Sequence, residues 1–365
     1  MRKPFLRLDA PAVLLVLVFA ASPFAAAQEG PASPSPPEPS LATEPSRRPS
    51  VRILPFGSVD VTSRSEDSGK AGFGIGPFDL YITTSLSEHW SALGELVFEN
   101  GDNALATDLE RFLVAWQPSD LLRVRAGREH NPIVRWNTAL HHGLYMQTPV
   151  DRPSMARFED DGGPWPVHFV GLLADGRLGH AGLNYGVAVG NGRGAIPDEV
   201  QVTFDRNGSK ALIGWIGLEP PALVGLELSL TGYGDRIPTE VGEIRERAWT
   251  AAASYVAGHW ELRSEYGQLD HRALEGGATL RTTGWYVLGA FQIPRTAFKP
   301  YVLVDRMEVP EGDPFLAGIP GRNAYVGGVR FDPDPRAALK GEVLSERVGD
   351  GSRQTTVRAQ LAVAF

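Results

Sequence analysis

TTVRAQLAVAF, residues 355–365, sets Thr355, Val357, Ala359, Leu361, Val363 and Phe365 on one side of an extended chain and Thr356, Arg358 and Gln360 on the other. Side chains alternate strictly along a β-strand, so this strand has one apolar and one wet face. An aromatic closes the apolar face at Phe365. A soluble sandwich rarely stops on such an edge, because an unprotected apolar strand recruits other chains.

Working back from this strand, the same period of two recurs near 51–62, 73–85, 90–100, 108–117, 121–128, 164–174, 180–190, 209–218, 222–233, 247–257, 261–270, 282–293, 299–309, 323–331 and 337–348. With the terminal run at 354–365 the set numbers about sixteen. An even number suits a bacterial barrel with both ends on one side of the membrane. The breaks alternate in length. SEH, PSD, DGRLG, EPP, GHW, PRTAFK and DPDPR are short, whereas GDNALATD, GNGRGAIPDEVQVTFDRNG, RIPTEVGEIRE and PEGDPFLAGIPGR are long. Short turns on one side and longer loops on the other are the habit of outer-membrane barrels. The aromatics sort the same way. Trp90, Trp116, Phe291, Tyr301, Phe331 and Phe365 fall at one set of strand ends; Phe98, Phe112, Trp249, Trp285 and Tyr325 fall toward the other. Two belts of rings are expected where strands meet the two membrane interfaces.

The chain opens with Arg2, Lys3 and Arg7, an apolar run over 13–21, and Ala25-Ala26-Ala27. This three-part pattern predicts a signal peptide over 1–27, cleaved after Ala27. Its removal takes away three positive charges and the negative Asp9, moving the net charge from −8 to −10. Residues 28–50 are rich in Pro and Ser and read as a disordered periplasmic tail, a spacer rather than a peptidoglycan-binding element. The barrel is expected over 51–365. The absence of cysteine excludes a disulfide framework, so closure of the sheet or packing must hold the fold. An acidic total argues against a nucleic-acid partner.

One segment interrupts the array. Residues 129–163, EHNPIVRWNTALHHGLYMQTPVDRPSMARFEDDGG, show no sustained alternation. So long an irregular stretch in a compact fold is usually functional. Its place between the fifth and sixth runs makes it the third long loop, and it is expected to fold into the lumen. Charges at every second position opposite an apolar stripe give the lumen wall: Glu95, Glu99, Arg111, Arg123, Arg125, Glu227, Arg263, Glu265, Arg306, Glu308, Arg330, Lys340, Glu342, Glu346 and Arg358. A solvated sheet face shares that geometry; closure of sixteen strands around water distinguishes the two.

These features resemble the sixteen-stranded bacterial outer-membrane porins, of the general or the anion- and phosphate-selective type, over roughly 51–365. The resemblance implies an all-β, transmembrane, antiparallel up-and-down barrel whose third loop narrows a channel for passive diffusion of small hydrophilic or ionic solutes. It implies Phe365 as an assembly signal read by the barrel-assembly machinery, and outer-membrane lipid and lipopolysaccharide as surroundings. It also implies a homotrimer, and Arg111, Arg123 and Arg125 as basic wall residues facing the loop, with Arg128 a further candidate at the constriction. The loop lacks the Pro-Glu-Phe-Gly-type motif of the general porins. Within it, Arg135, Arg152 and Arg157 either add fixed positive charge or pin the loop by pairing with Glu159, Asp160 and Asp161; the adjacency of Arg157 to those acids favours pinning. The acids lack the spacing of a calcium-binding hand, and the eight histidines lack metal-binding spacing, so no metal or cofactor is expected. No GxSxG element or recognisable Ser–His pattern marks an enzyme. The alternatives are an outer-membrane barrel enzyme of phospholipase or protease type and a secreted β-sandwich binding protein.

Overall fold

The computed structural model describes residues 50–65, 70–101, 104–140, 144–202, 204–206, 208–239 and 242–365. The signal peptide, nearly all of the Pro-rich tail and the His141-His142 pair lie outside these residues.

Strand formation follows the alternation. The strands are β1 (Ser50–Arg64), β2 (Ala71–Ile75), β3 (Phe78–Ser85), β4 (Trp90–Gly101), β5 (Ala104–Ser119), β6 (Leu122–His130), β7 (His168–Leu178), β8 (Leu183–Asn191), β9 (Lys210–Leu218), β10 (Leu226–Thr239), β11 (Gly242–Ala257), β12 (Trp260–Ala273), β13 (Leu280–Phe291), β14 (Phe298–Glu308), β15 (Arg322–Asp334), β16 (Ala337–Val348) and β17 (Gln354–Ala364). From β3 onward each strand pairs antiparallel with the next in sequence, and β1 closes the ring against β17, with Phe56 opposite Ala364 and Arg64 opposite Thr356. β2 and β3 are one stave in two pieces: both pair with β1, β2 above and β3 below. The break falls at Gly76-Pro77. Pro77 has no N–H for the ladder, and a Cβ at Gly76 would stand 2.1 Å from Ser58 Oγ. The result is a closed, sixteen-stave, up-and-down barrel.

The faces divide as the alternation requires. On β16, Lys340, Glu342 and Leu344 are buried, while Leu339 and Val343 are 44% and 48% exposed. On β17, Thr356 and Gln360 are buried and Val357 and Leu361 exposed. Exposed Leu172, Val187, Leu212, Ile216, Leu230, Val302 and Val329 continue this apolar belt around the ring. A water-soluble protein would not display so much contiguous apolar surface; a bilayer covers it.

Four expectations need correcting. GDNALATD and RIPTEVGEIRE are mostly strand, because β4–β5 and β10–β11 continue pairing to Gly101–Ala104 and Thr239–Gly242. Burial of Ile237 and Ile244, paired opposite one another, rewards the longer ladder. The strand expected from 164 begins at His168, since Pro164 and Pro166 cannot donate to a ladder. Tyr301 points inward, buried, and its hydroxyl donates to Glu342 at 2.8 Å, so it is no belt residue. Arg306 and Glu308 alternate with buried Tyr301, Leu303, Asp305 and Met307; they sit on the exposed face, paired with each other, and do not line the lumen.

Candidate functional site

The irregular segment, described over 131–140 and 144–167, satisfies part of its backbone with its own side chains, such as Gln147 and Asp151, and the barrel wall supplies further acceptors. Asn131 Oδ1 accepts from Ile133 N (3.1 Å) to start the turn into the short helix α1 (Arg135–Leu140). The first N–H groups of a helix have no partner within it. Here Glu265 on β12 accepts from Arg135 N (2.7 Å) and Trp136 N (3.4 Å), and also from the Tyr286 hydroxyl (3.3 Å). Asp305 on β14 does the same for the 3-10 turn at Ser154–Ala156, accepting from Ser154 N at 3.1 Å and Ser154 Oγ at 2.7 Å. Glu342 on β16 accepts from Val150 N (3.0 Å), and Glu261 on β12 from Thr148 Oγ1 (2.6 Å).

Cations of the wall hold the segment's carbonyls. Arg330 on β15 donates to Tyr145 O (2.6 Å) and Gln147 O (3.0 Å), and Lys340 on β16 donates to Pro149 O (3.0 Å) and to Leu144 O. Arg358 on β17 reaches Asp151 at 3.2 Å; Arg135 itself reaches Glu227 on β10 at 2.6 Å. Hydrogen bonds to charged groups are worth about 1.5–3 kcal/mol each, so this array fixes one path for the segment. Glu265, Arg330 and Arg358 are therefore wall residues that grip the loop, and Arg263, on the same face of β12, pairs with Glu261 at 2.9 Å.

The segment also has an apolar side. Trp165, Met155, Ile133 and Val134 are buried against the wall, and Trp136 packs edge-on to Tyr286 with centroids 5.4 Å apart. The bed for Trp165 is a cross-strand glycine pair, Gly267 opposite Gly284. A Cβ on Gly284 would meet Met155 Cβ at 2.8 Å and Trp165 at 2.9 Å.

The basic residues on β5 and β6 stand beside carboxylates. Arg111 binds Glu95 (2.5 Å) and Glu129 (3.6 Å); Arg123 binds Asp175 (2.7 Å). Arg125 pairs with Glu129 and lies 3.4 Å from Asp175, and Arg128 meets Asp108 at 3.2 Å and Glu110 at 3.9 Å. Glu99 shares the inward face of β4 with Glu95. This part of the wall is a mixed-charge lattice rather than a basic patch.

Within the segment, Arg157 pairs with Asp161 (3.0 Å) and Asp151 (3.3 Å). Burial would raise the Asp151 carboxyl, but Arg157 and Arg358 outweigh it and hold it at about 2. Arg152 lies over the Phe158 ring at 3.7 Å, and burial lowers its guanidinium to about 10. Glu159 turns away from the arginines to accept from the N–H groups of Val167 and His168. Asp160 and Asp161 reach solvent, yet the protein around them strips part of their hydration and raises both carboxyls; Glu159 and Asp161 push Asp160 further.

A second knot ties in two other loops. Arg193 donates to Pro164 O (2.8 Å) and Glu246 (3.0 Å), while His271 bridges Glu246 (2.7 Å) and Asp313 (2.8 Å). Sequence reading missed Glu246, Asp305 and His271. Their inward parity on β11, β14 and β12 was the available signal; their partners lie on loops whose path the alternation does not describe.

No family model and no curated protein matches this sequence. Solved structures do match its fold. The anion-selective porin from Comamonas acidovorans superposes with a TM-score of 0.64 at 16% identity, over 87% of this chain and 100% of that one. The outer membrane channel DcaP of Acinetobacter baumannii gives 0.62 at 12% identity, over 89% and 100%. OmpT, an outer membrane protein of Vibrio cholerae solved in a trimer form, gives 0.59 at 10% identity, over 87% and 99%. The chain thus has the sixteen-stranded barrel fold of bacterial porins.

Proposed function

We propose that this protein is an outer-membrane channel for passive diffusion of small hydrophilic or ionic solutes, with residues 131–167 lying in the lumen and narrowing it. One observation carries the reading. The segment leaves β6 and returns to β7, yet inward-facing side chains from β10, β12, β14, β15, β16 and β17 hold it. Such contacts, from a segment rooted on one side of a closed ring to the inner face of the other, support a path across the bore. The space left to solutes is then bounded by the free side of the loop, with Asp160 and Asp161, and by the mixed-charge wall of Arg111, Arg123, Arg125 and Arg128. Opposed fixed charges in a narrow passage act on solutes through a transverse field.

The apolar belt suits outer-membrane lipid and lipopolysaccharide, with export by a cleaved signal peptide and insertion by the barrel-assembly machinery. The trimeric Vibrio cholerae protein supports a homotrimer here. The experiment is planar-bilayer recording of the refolded protein. Ohmic single-channel steps are expected, larger after deletion of most of 131–160. Absence of conductance together with lipid hydrolysis would overturn the proposal in favour of a barrel enzyme.

A further inference from the structure

At the root of the loop the barrel brings together three potential metal ligands that are far apart in sequence. His130 ends β6 and His168 begins β7, and the register sets them directly opposite. Glu110 comes from β5, where a bulge after Glu95 leaves it as the extra residue. All three are buried, and one ligand atom from each lies within 4.8 Å of the others. His168 Nε2 and Glu110 Oε1 are 2.8 Å apart, and the two imidazoles meet edge to face at 5.5 Å. Ligand atoms around a tetrahedral zinc ion, at about 2.1 Å from the metal, stand about 3.4 Å from one another.

We propose that Glu110, His130 and His168 form a binding site for a divalent transition metal of the zinc class, two imidazoles and one carboxylate with a fourth position left for water. Three further observations bear on it. Glu159 Oε2 lies 3.7 Å from His168 Nδ1, where a carboxylate would orient a metal-bound imidazole from its far side. The Phe158 ring stacks on His168, with planes 9° apart, and fixes its plane. The charge also balances: two neutral imidazoles, Glu110 and Glu159 together neutralise a divalent ion, which a buried site requires. Asp160 is exposed and electrostatically coupled to both Glu110 and Glu159, so the approach is electronegative and concentrates cations. Arg128, 3.9 Å from Glu110 Oε2, is a nearby cation that the ion must tolerate. Imidazole with carboxylate favours zinc, copper and nickel over calcium or magnesium. Bound there, the ion would staple β5, β6 and β7 where the loop leaves the wall.

The test uses the full refolded barrel in detergent, stripped with a chelator. Calorimetric titration with Zn²⁺ is expected to give one saturable site, and Co²⁺ the visible ligand-field bands of a four-coordinate complex. His130→Ala removes a ligand and should weaken binding by more than the ~10–100-fold that losing a ligand's supporting partner costs. Glu110→Gln should do the same, with folding of both variants checked by heat-modifiable mobility on gels. If His168→Ala fails to fold, these two still decide. Undiminished binding in H130A and E110Q would overturn the site, as would no saturable binding or loss of binding only on replacing His141 and His142. The readout is binding, so its failure leaves the channel proposal standing, and failure of the channel leaves the site standing.

Discussion

Replacing Glu265 by Ala tests whether wall carboxylates hold the loop in place. Glu265 is fully buried and accepts from Arg135 N, Trp136 N and the Tyr286 hydroxyl. Losing the short charged bond and the two longer ones, less the relief of leaving no buried carboxylate, comes to about 2–4 kcal/mol. At about 1.4 kcal/mol per tenfold, the undocked population of the α1 region rises tens- to hundreds-fold. The stave ladders do not involve this side chain, so heat-modifiable mobility of the barrel should not change. Two assays read the loop. Single-channel records should show added low-frequency noise or a larger conductance, and trypsin should cut after Arg135 or Arg157, which the docked loop protects; Arg152 is followed by Pro153 and resists trypsin in either state. Glu265→Gln keeps an acceptor and should fall between wild type and Ala. An E265A protein with unchanged conductance, unchanged noise and full trypsin resistance would refute the idea that wall carboxylates cap the loop.

Gly284→Leu puts side-chain atoms where Met155 and Trp165 lie; it should lift Trp165 from its bed, shift tryptophan emission to the red and raise conductance. Arg123→Ala with Arg125→Ala leaves Glu129 and Asp175 without two of their cations, so the reversal potential in a salt gradient should move toward cations; no movement would remove this lattice from the ion path. Asp160 and Asp161 have raised carboxyls. A raised acid loses its charge at a higher pH than a free one, so the pair neutralises first as pH falls, whereas Asp151, held at about 2, stays ionised and keeps its bonds to Arg157 and Arg358. The fraction of cation current should therefore drop at mildly acidic pH while trypsin resistance of the loop persists, and Asp160→Asn with Asp161→Asn should flatten that pH dependence.

Most of the fold was legible because one force wrote it in one period. On β17 and β16 each alternate residue faces lipid, and the sequence shows it directly. Reading fails where the lumen is not wet. Ile133, Trp136, Met155 and Trp165 of the irregular segment and Phe315, Leu316 and Ile319 of the loop before β15 share one apolar cluster with Leu269, Leu288, Leu303 and Met307, which are as buried as any core residue. With apolar residues on both faces, parity loses its meaning. In sequence, Tyr301 therefore reads as a belt aromatic and Arg306 as a wall charge, although Val302 and Val304 share the Arg306 face. The wall acids were visible as inward charges; that Glu265 caps a helix was not, because its partners are 129 and 130 residues away. Likewise His130 and His168 meet only through a register set across the whole loop.

That same distance constrains how the molecule is made. The loop is synthesised before every strand that grips it; Val150 waits for Glu342, 192 residues later. Contacts of such sequence separation form slowly, because the chain must first bring distant parts together. Here the partner strands must also already curve into a wall. Docking is then expected to follow formation of the β10–β17 wall that supplies its partners. On the proposed path of the segment, a newly closed barrel would pass through a stage with its bore unobstructed, and in time-resolved refolding the protection of Trp165 should lag behind the appearance of the β-sheet.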